Sequence, residues 1–369
     1  MRKGRFRTFV TLIKNNYKMK NIFLIPFIFT LACSNKNTPN VDHHNTRNFQ
    51  FTYEVLVEPT HGNKLEIWLP VPTSSNVQEI SNLQIISEDL AYTLKDEPIH
   101  GNRYLYVFSK MGITNPTTIT MTFDVHRKEH SNISDKNADP NNYLGSYRNV
   151  PTGNIFSKII NENDLSQNDI RGIYDFVFEG MHYGKPKTVD NIYYRSPWLN
   201  SDSIYGQKGV TRDDVVKLYQ QSKIDGGDYT FGKGNSIYAC DIGVGNCTDY
   251  HSYFMSLGRT LGVPVRFHMG FPIPSESEGT VGGYHCWADY YIEGEGWYPV
   301  DISEGDKDPQ RKDYYFGTLD NNRVEMILGR DIKLEGYEME TTNLFIYPIM
   351  EINDQTSSAF SKSFQYKEI

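Results

Sequence analysis

The hydrophobic period of this chain first changes near residue 165, and that change restricts the available folds more than any bulk property does. Before it, apolar and polar residues alternate in "NFQFTYEVLVEP", "NKLEIWLPVP", "NRYLYVFSKM" and "TTITMTFDVHRKE", the pattern of half-buried strands. The first two runs, joined by Thr60, His61 and Gly62, read as a hairpin, and an antiparallel β-sandwich is expected over 48–130. The stretch "SNISDKNADPNNYLGS" is rich in turn residues, so 131–164 reads as a linker. Beyond it Ile170, Ile173, Tyr174, Val177, Phe178 and Met181 trace one face of a helix capped by Ser166 or Asn168. "VTRDDVVKLYQQSK" supplies a second helix. Tyr250, Tyr253, Phe254, Leu257 and Leu261 form the apolar face of a third, stopped by Gly262 and Pro264. "VPVRFHMGFPIP", "YHCWADYYIEGEGWYPVDIS" and "TNLFIYPIMEIN" read as strands, the middle one folding back at "EGEG". The expected fold is α+β: a sandwich, then helices packed on an antiparallel sheet over 165–353, with 354–369 as a C-terminal tail.

With 369 residues, 38% hydrophobic and 22% charged, the chain can fill two ordinary cores. A formal net charge of -8, with no basic stripe interleaved with aromatics, argues against a nucleic-acid partner. The N-terminus has the form of a targeting signal, residues 1–33, whose typical start is Met19. A short polar opening precedes the apolar run "IFLIPFIFTLA", too short to span a bilayer, and Cys33 follows it. This pattern resembles a bacterial lipoprotein signal peptide, although Thr30 stands where Leu is usual. It implies lipidation at Cys33, attachment to the membrane through that lipid, and residence in the cell envelope. Residues 34–47 then read as a polar tether.

Setting Cys33 aside leaves Cys240, Cys247 and Cys286, an odd number for an oxidising compartment, so at least one is expected to be free. In "GVGNCTDYHSYFMSLGRTLGVPVRF", Asn246 is a good N-cap and Cys247 falls in the first turn, where unpaired N–H groups and the helix dipole favour a thiolate. A cysteine nucleophile needs a base and a group to orient it. His285 in "GGYHCWADYY" and Asp301 in "GWYPVD" lie on the two limbs of one hairpin. A four-residue turn over Glu293 to Gly296 would set Asp301 opposite Ala288, so a wider loop, a bulge or a diagonal contact is required. Alternation puts Cys286 on the face opposite His285, in the core, and weakens a zinc site built from Cys240, Cys247, His251, His285 and Cys286, so no metal is expected. Cys240 is either buried alone or paired with Cys247. His251 reads as structural and Asp249 as a helix-dipole partner. Trp287, on the His285 face, is a candidate substrate contact or a core residue. The second oxyanion donor is open. Asp241 is unsuited to it by charge, a Tyr or backbone group from "GGDYTFGKGNSIYACD" is the better candidate, and Tyr229 there is a candidate substrate contact.

Three separated segments, "NCTDYHSYFMSLGRTLGVPVRF", "GGYHCWADYY" and "GWYPVD", resemble in order the Cys, His, Asp core of the transglutaminase-like superfamily, a circularly related cousin of papain-type cysteine proteases. "IYACDIGVGNCTDYHS", "FHMGFPIP" and "DYYFGTLDNNRVEMILGRD" resemble bacterial transglutaminase-like domain proteins. The resemblance covers roughly 165–350. It implies a papain-like, transglutaminase-type α+β domain after the sandwich, with Cys247 as nucleophile, His285 as base and acid, and Asp301 as orienting carboxylate. The expected chemistry is acyl transfer on a peptide, protein or cell-wall amide without a cofactor. The rival expectation is a non-catalytic surface lipoprotein that binds glycan or peptide on the same scaffold.

Overall fold

The computed structural model describes residues 46–88, 90–135, 138–185 and 212–369. The signal segment, the Cys33 lipidation site and nearly all of the tether lie outside these residues. The first half supplies β1 (Thr46–Val57), β2 (Leu65–Val71), β3 (Gln78–Ser87), β4 (Tyr92–Asp96), β5 (Arg103–Ser109) and β6 (Thr117–Lys128). Then come α1 (Ile155–Glu162), α2 (Ile170–Gly180), β7 (His182–Tyr183), α3 (Arg212–Asp225), α4 (Ser236–Ile242), β8 (Val244–Gly245) and α5 (Cys247–Thr260). The chain continues through β9 (Val265–Pro272), β10 (Glu278–Thr280), β11 (His285–Ile292), β12 (Gly296–Val300), α6 (Ile302–Lys307) and β13 (Arg323–Leu328). It ends with β14 (Ile349–Ile352), β15 (Gln355–Thr356) and β16 (Phe360–Glu368). Residues His44–Ile369 form one compact unit.

The sandwich consists of sheets β10-β16-β1-β6-β3 and β15-β14-β2-β5-β4, so β1 and β2 are not a hairpin. Alternation made them strands, but every residue of β2 is buried while β1 keeps a half-exposed face. Each therefore pairs within a different sheet, and the turn between them crosses the sandwich edge. The expected tail is also corrected. β16 pairs antiparallel with β1 from Phe49↔Glu368 to Val57↔Phe360 and inserts Phe364 into the core. Residues 131–164 are more than a linker, since α1 lies within them and buries Ile155, Phe156, Ile159 and Ile160.

A third sheet, β12-β11-β9-β13, is packed by α5 against β11 and β9. Two devices fix this sheet to the sandwich. β9 ends in Phe271, whose ring lies 5.2 Å from Phe51 and 4.4 Å from Phe364, inside the aromatic core of the first layer. The outer edge of β13 is closed by side-chain amides that mimic a neighbouring strand. Gln78 accepts from Glu325 N at 2.8 Å and donates to Glu325 O at 2.9 Å, while Asn102 does the same at Leu328 at 2.7 Å each way. An unpaired edge is thereby covered without a further strand. Together these contacts hold the hairpin carrying His285 at a fixed place over α5.

Candidate active site

Cys247 opens α5. Asn246 has an extended backbone, its side chain accepts from Thr248 N and Asp249 N, and the Asp249 carboxylate returns to Asn246 N, completing a capping box. Asp249 does more than answer the dipole. It accepts from Gly232 N at 2.9 Å and Gly234 N at 3.0 Å, binding the preceding loop to the start of the helix. Gly234 is required there, because a Cβ would stand 2.6 Å from Thr248 Cγ2 on a backbone of φ +62°. His251, one turn down, accepts from Ile302 N through Nε2 at 3.1 Å, so its Nδ1 carries the proton that bonds Cys247 O at 2.7 Å. It is a neutral strut between α5 and α6, its pKa lowered by burial.

The hairpin register supplies the partner of His285. Ala288 pairs with Val300 and Ile292 with Gly296, so the loop is three residues, one shorter than the expected turn. The next step of that register sets Asp301 across from Trp287, on the His285 face, and the two functional side chains meet diagonally. His285 Nε2 lies 2.7 Å from Asp301 Oδ2. Asp301 N-caps α6, accepting from Glu304 N at 3.1 Å and Ser303 Oγ at 3.0 Å through Oδ1. Arg323 of β13 donates to Oδ2 at 2.9 Å, which sequence reasoning had not foreseen. Burial would raise the Asp301 pKa, but His285 and Arg323 hold it well below the usual carboxylate range.

With Nε2 committed, Nδ1 of His285 is left for Cys247, and the two side chains interact. Burial opposes an imidazolium, yet the Asp301 charge and the contact with Cys247 raise His285 to about 10. The Cys247 thiol is pushed well below its ordinary value, first by a hydrogen bond from Cys286, against burial, and further by His285. The site therefore rests as a thiolate–imidazolium pair. Cys247 is 2% exposed and His285 4%, while nearby Tyr183, Tyr284 and Glu304 are half-exposed.

For three neighbouring residues the structure adds to the expectation or decides it. Cys286 does face away from His285, but α5 covers that face. Phe254 meets Tyr290 there at 6.5 Å, and Thr248 Oγ1 lies 3.6 Å from Cys286 Sγ, so Cys286 joins the site instead of leaving it. Replacing Cys286 with alanine is expected to move the alkylation midpoint of Cys247 to higher pH while leaving the high-pH rate unchanged. Mass-spectrometric labelling of the Cys247 peptide would show this, and an unmoved midpoint would remove Cys286 from the site. Trp287 is 1% exposed, stacked 5.6 Å from His268 and 6.2 Å from His285, so it backs the imidazole and does not face substrate. Tyr229 spends its hydroxyl on Asp241 Oδ2 at 2.7 Å, which takes it out of the oxyanion role.

Cys240, Cys247 and Cys286 are free thiols, which excludes the Cys240–Cys247 disulfide. His285, Asp301 and Glu304 bring ligand-type atoms within 4.8 Å of one another. An ion there would have to displace the His285–Asp301 bond and sit against the Arg323 charge. His251 cannot join a zinc set, because both its nitrogens are engaged.

Residues 203–302 match the Transglutaminase-like superfamily. A Haemophilus influenzae protein described as uncharacterized is 23% identical over 379 residues, covering 91% of this chain and 94% of its own. Among solved structures, a Cytophaga hutchinsonii protein described as a "putative cysteine protease" aligns at 13% identity and a TM-score of 0.47, over 88% of this chain and 98% of that one. The periplasmic domain of TgpA from Pseudomonas aeruginosa aligns at 13% identity and 0.28, over 72% of this chain and 92% of its own. The segment that carries Cys247, His285 and Asp301 is a transglutaminase-like superfamily domain.

Proposed function

We propose that this chain performs cysteine-dependent acyl transfer on amide bonds, with hydrolysis favoured over transamidation. The observation that carries this reading is the His285 Nε2–Asp301 Oδ2 bond of 2.7 Å on the imidazole that interacts with Cys247 at a helix N-terminus. Cys247 attacks the carbonyl carbon. The carbon–nitrogen bond then breaks as the His285 imidazolium gives its proton to the departing amine, leaving a thioester. Water, activated by the now neutral His285, resolves the thioester to a carboxylic acid, while an amine in its place would form a new amide. Asp301 keeps the imidazole oriented and stabilises its charged form without itself taking the proton. Arg323 keeps Asp301 ionised. The substrate is an amide of a peptide, protein or cell-wall fragment. The leader sequence adds the proposal that the fold is lipid-anchored through Cys33 at the cell envelope.

Incubation with a library of peptide and cell-wall fragments, followed by rapid acid quench and mass spectrometry, tests the reading. An acyl mass on the Cys247 peptide, lost in Cys247→Ala, is the expected result. Labelling of Cys247 by iodoacetamide that is indifferent to His285→Ala and follows an ordinary thiol pH profile would instead favour the non-catalytic scaffold.

A further inference from the structure

A tetrahedral oxyanion needs two donors, and α5 supplies one, the Cys247 N–H, which has no acceptor within the helix. The other polar groups around the start of α5 are already spent. Tyr229 donates to Asp241, Tyr284 meets Thr248 Oγ1 at 2.9 Å, and the Asn246 amide caps the helix through its oxygen. Tyr183 remains. It sits on β7, which pairs in parallel with β8 so that Tyr183 lies opposite Gly245, two residues before the nucleophile. Three contacts fix it: Tyr183 N bonds Asp306 Oδ2 at 3.0 Å, Gly184 N bonds Gly245 O at 3.0 Å, and the ring lies 6.2 Å from Tyr250 of α5. Lys307 Nζ stands 4.3 Å from the centre of the same ring, tied to Glu304 at 2.6 Å, and Glu304 in turn lies 3.8 Å from His285 Nε2.

We infer that the Tyr183 hydroxyl, with the Lys307 ammonium 4.3 Å from the centre of its ring, is the second oxyanion donor for acyl transfer at Cys247. This rests on the proposed cysteine chemistry and adds a residue to it. The ammonium charge beside the phenol ring favours negative charge on the phenol oxygen and so makes the hydroxyl a stronger donor. Burial first, and the Cys247 charge second, raise the phenol to about 12, so it keeps that proton throughout the neutral range. When the thiolate attacks, the carbon–sulfur bond forms and the carbonyl π pair moves to oxygen, where it accepts from Cys247 N–H and Tyr183 Oη–H. When the pair returns, the bond to the leaving group breaks. In this role Tyr183 meets the substrate's carbonyl oxygen. Lys307 acts only through it, as a positioning residue.

Two reagents that need the same thiolate separate this role from a structural one. Iodoacetamide alkylates by displacement and forms no oxyanion, whereas p-nitrophenyl acetate must pass through one and releases p-nitrophenolate without needing an acid. Tyr183→Phe in the full chain is expected to slow acetylation of Cys247 by p-nitrophenyl acetate by on the order of 100-fold while iodoacetamide alkylation proceeds at the wild-type rate, which also certifies the fold. Equal acetylation in the two proteins, or a parallel fall in both reactions, overturns the assignment of Tyr183 alone. Failure of the wild-type protein to acetylate at Cys247 overturns this inference together with the proposed function.

Discussion

His285→Ala is expected to lower formation of the Cys247 acyl-enzyme from an amide by about 10²–10⁴-fold. The imidazolium does two things at once, and the substitution removes both. It depresses the thiol pKa, so without it the thiolate must be drawn from a group nearer its ordinary value of about 8.5. It also protonates the departing amine, a step that an activated ester does not need. The loss should therefore be larger for an amide than for p-nitrophenyl acetate, and raising the pH should recover part of the ester rate but little of the amide rate. Single-turnover measurement of both donors in one preparation checks this. Equal losses for the two would mean that His285 serves only to ionise the sulfur.

The second large effect is on the fold. Asp301 is fully buried and joins the His285 imidazole, the Arg323 guanidinium and the first turn of α6. Asp301→Ala leaves a buried imidazolium and a buried guanidinium without their shared anion, and a cost of about 3–5 kcal/mol is expected, read as a fall in the urea midpoint. Asp301→Asn keeps the cap acceptor but not the charge and should fall between the two. The pH dependence has a definite sign. The folded pKa of Asp301 lies below its unfolded value, so its contribution is present above about 3.9 and is lost as the pH falls toward the folded value. The gap between wild type and Asp301→Asn should narrow in acid. A gap that is constant across that range would assign the loss to packing and not to charge.

Much of this was legible in the chain because it is local. A capping residue before a cysteine, an apolar stripe after it and two alternating limbs about a glycine turn are enough to bring Cys247, His285 and Asp301 forward as a set. What was misplaced depended on pairing partners distant in sequence. The β1 and β2 runs are adjacent and alternate alike, yet β2 is covered on both faces and belongs to the other sheet, a fact set by β5 and β14. Similarly, the last residues read as a tail because nothing nearby pairs with them, although β1 does. Trp287 was correctly placed on the His285 face but left open between substrate contact and core, since the residues that cover it, Tyr315 and Leu319, follow an unpatterned loop. Arg323 and Tyr183 carried no signal. One reaches Asp301 across a sheet from an unforeseen strand, and the other reaches the site through a two-residue parallel bridge.

The most direct single measurement is the pH dependence of Cys247 alkylation in the wild-type protein, followed by mass spectrometry so that Cys240 and Cys286 are scored apart. A thiolate held by His285 and Cys286 should react at a rate already near its plateau at neutral pH, with the plateau persisting until His285 gives up its proton at about 10. A single rise centred near 8.5, the behaviour of an unassisted thiol, would contradict the ion pair on which the proposed chemistry stands.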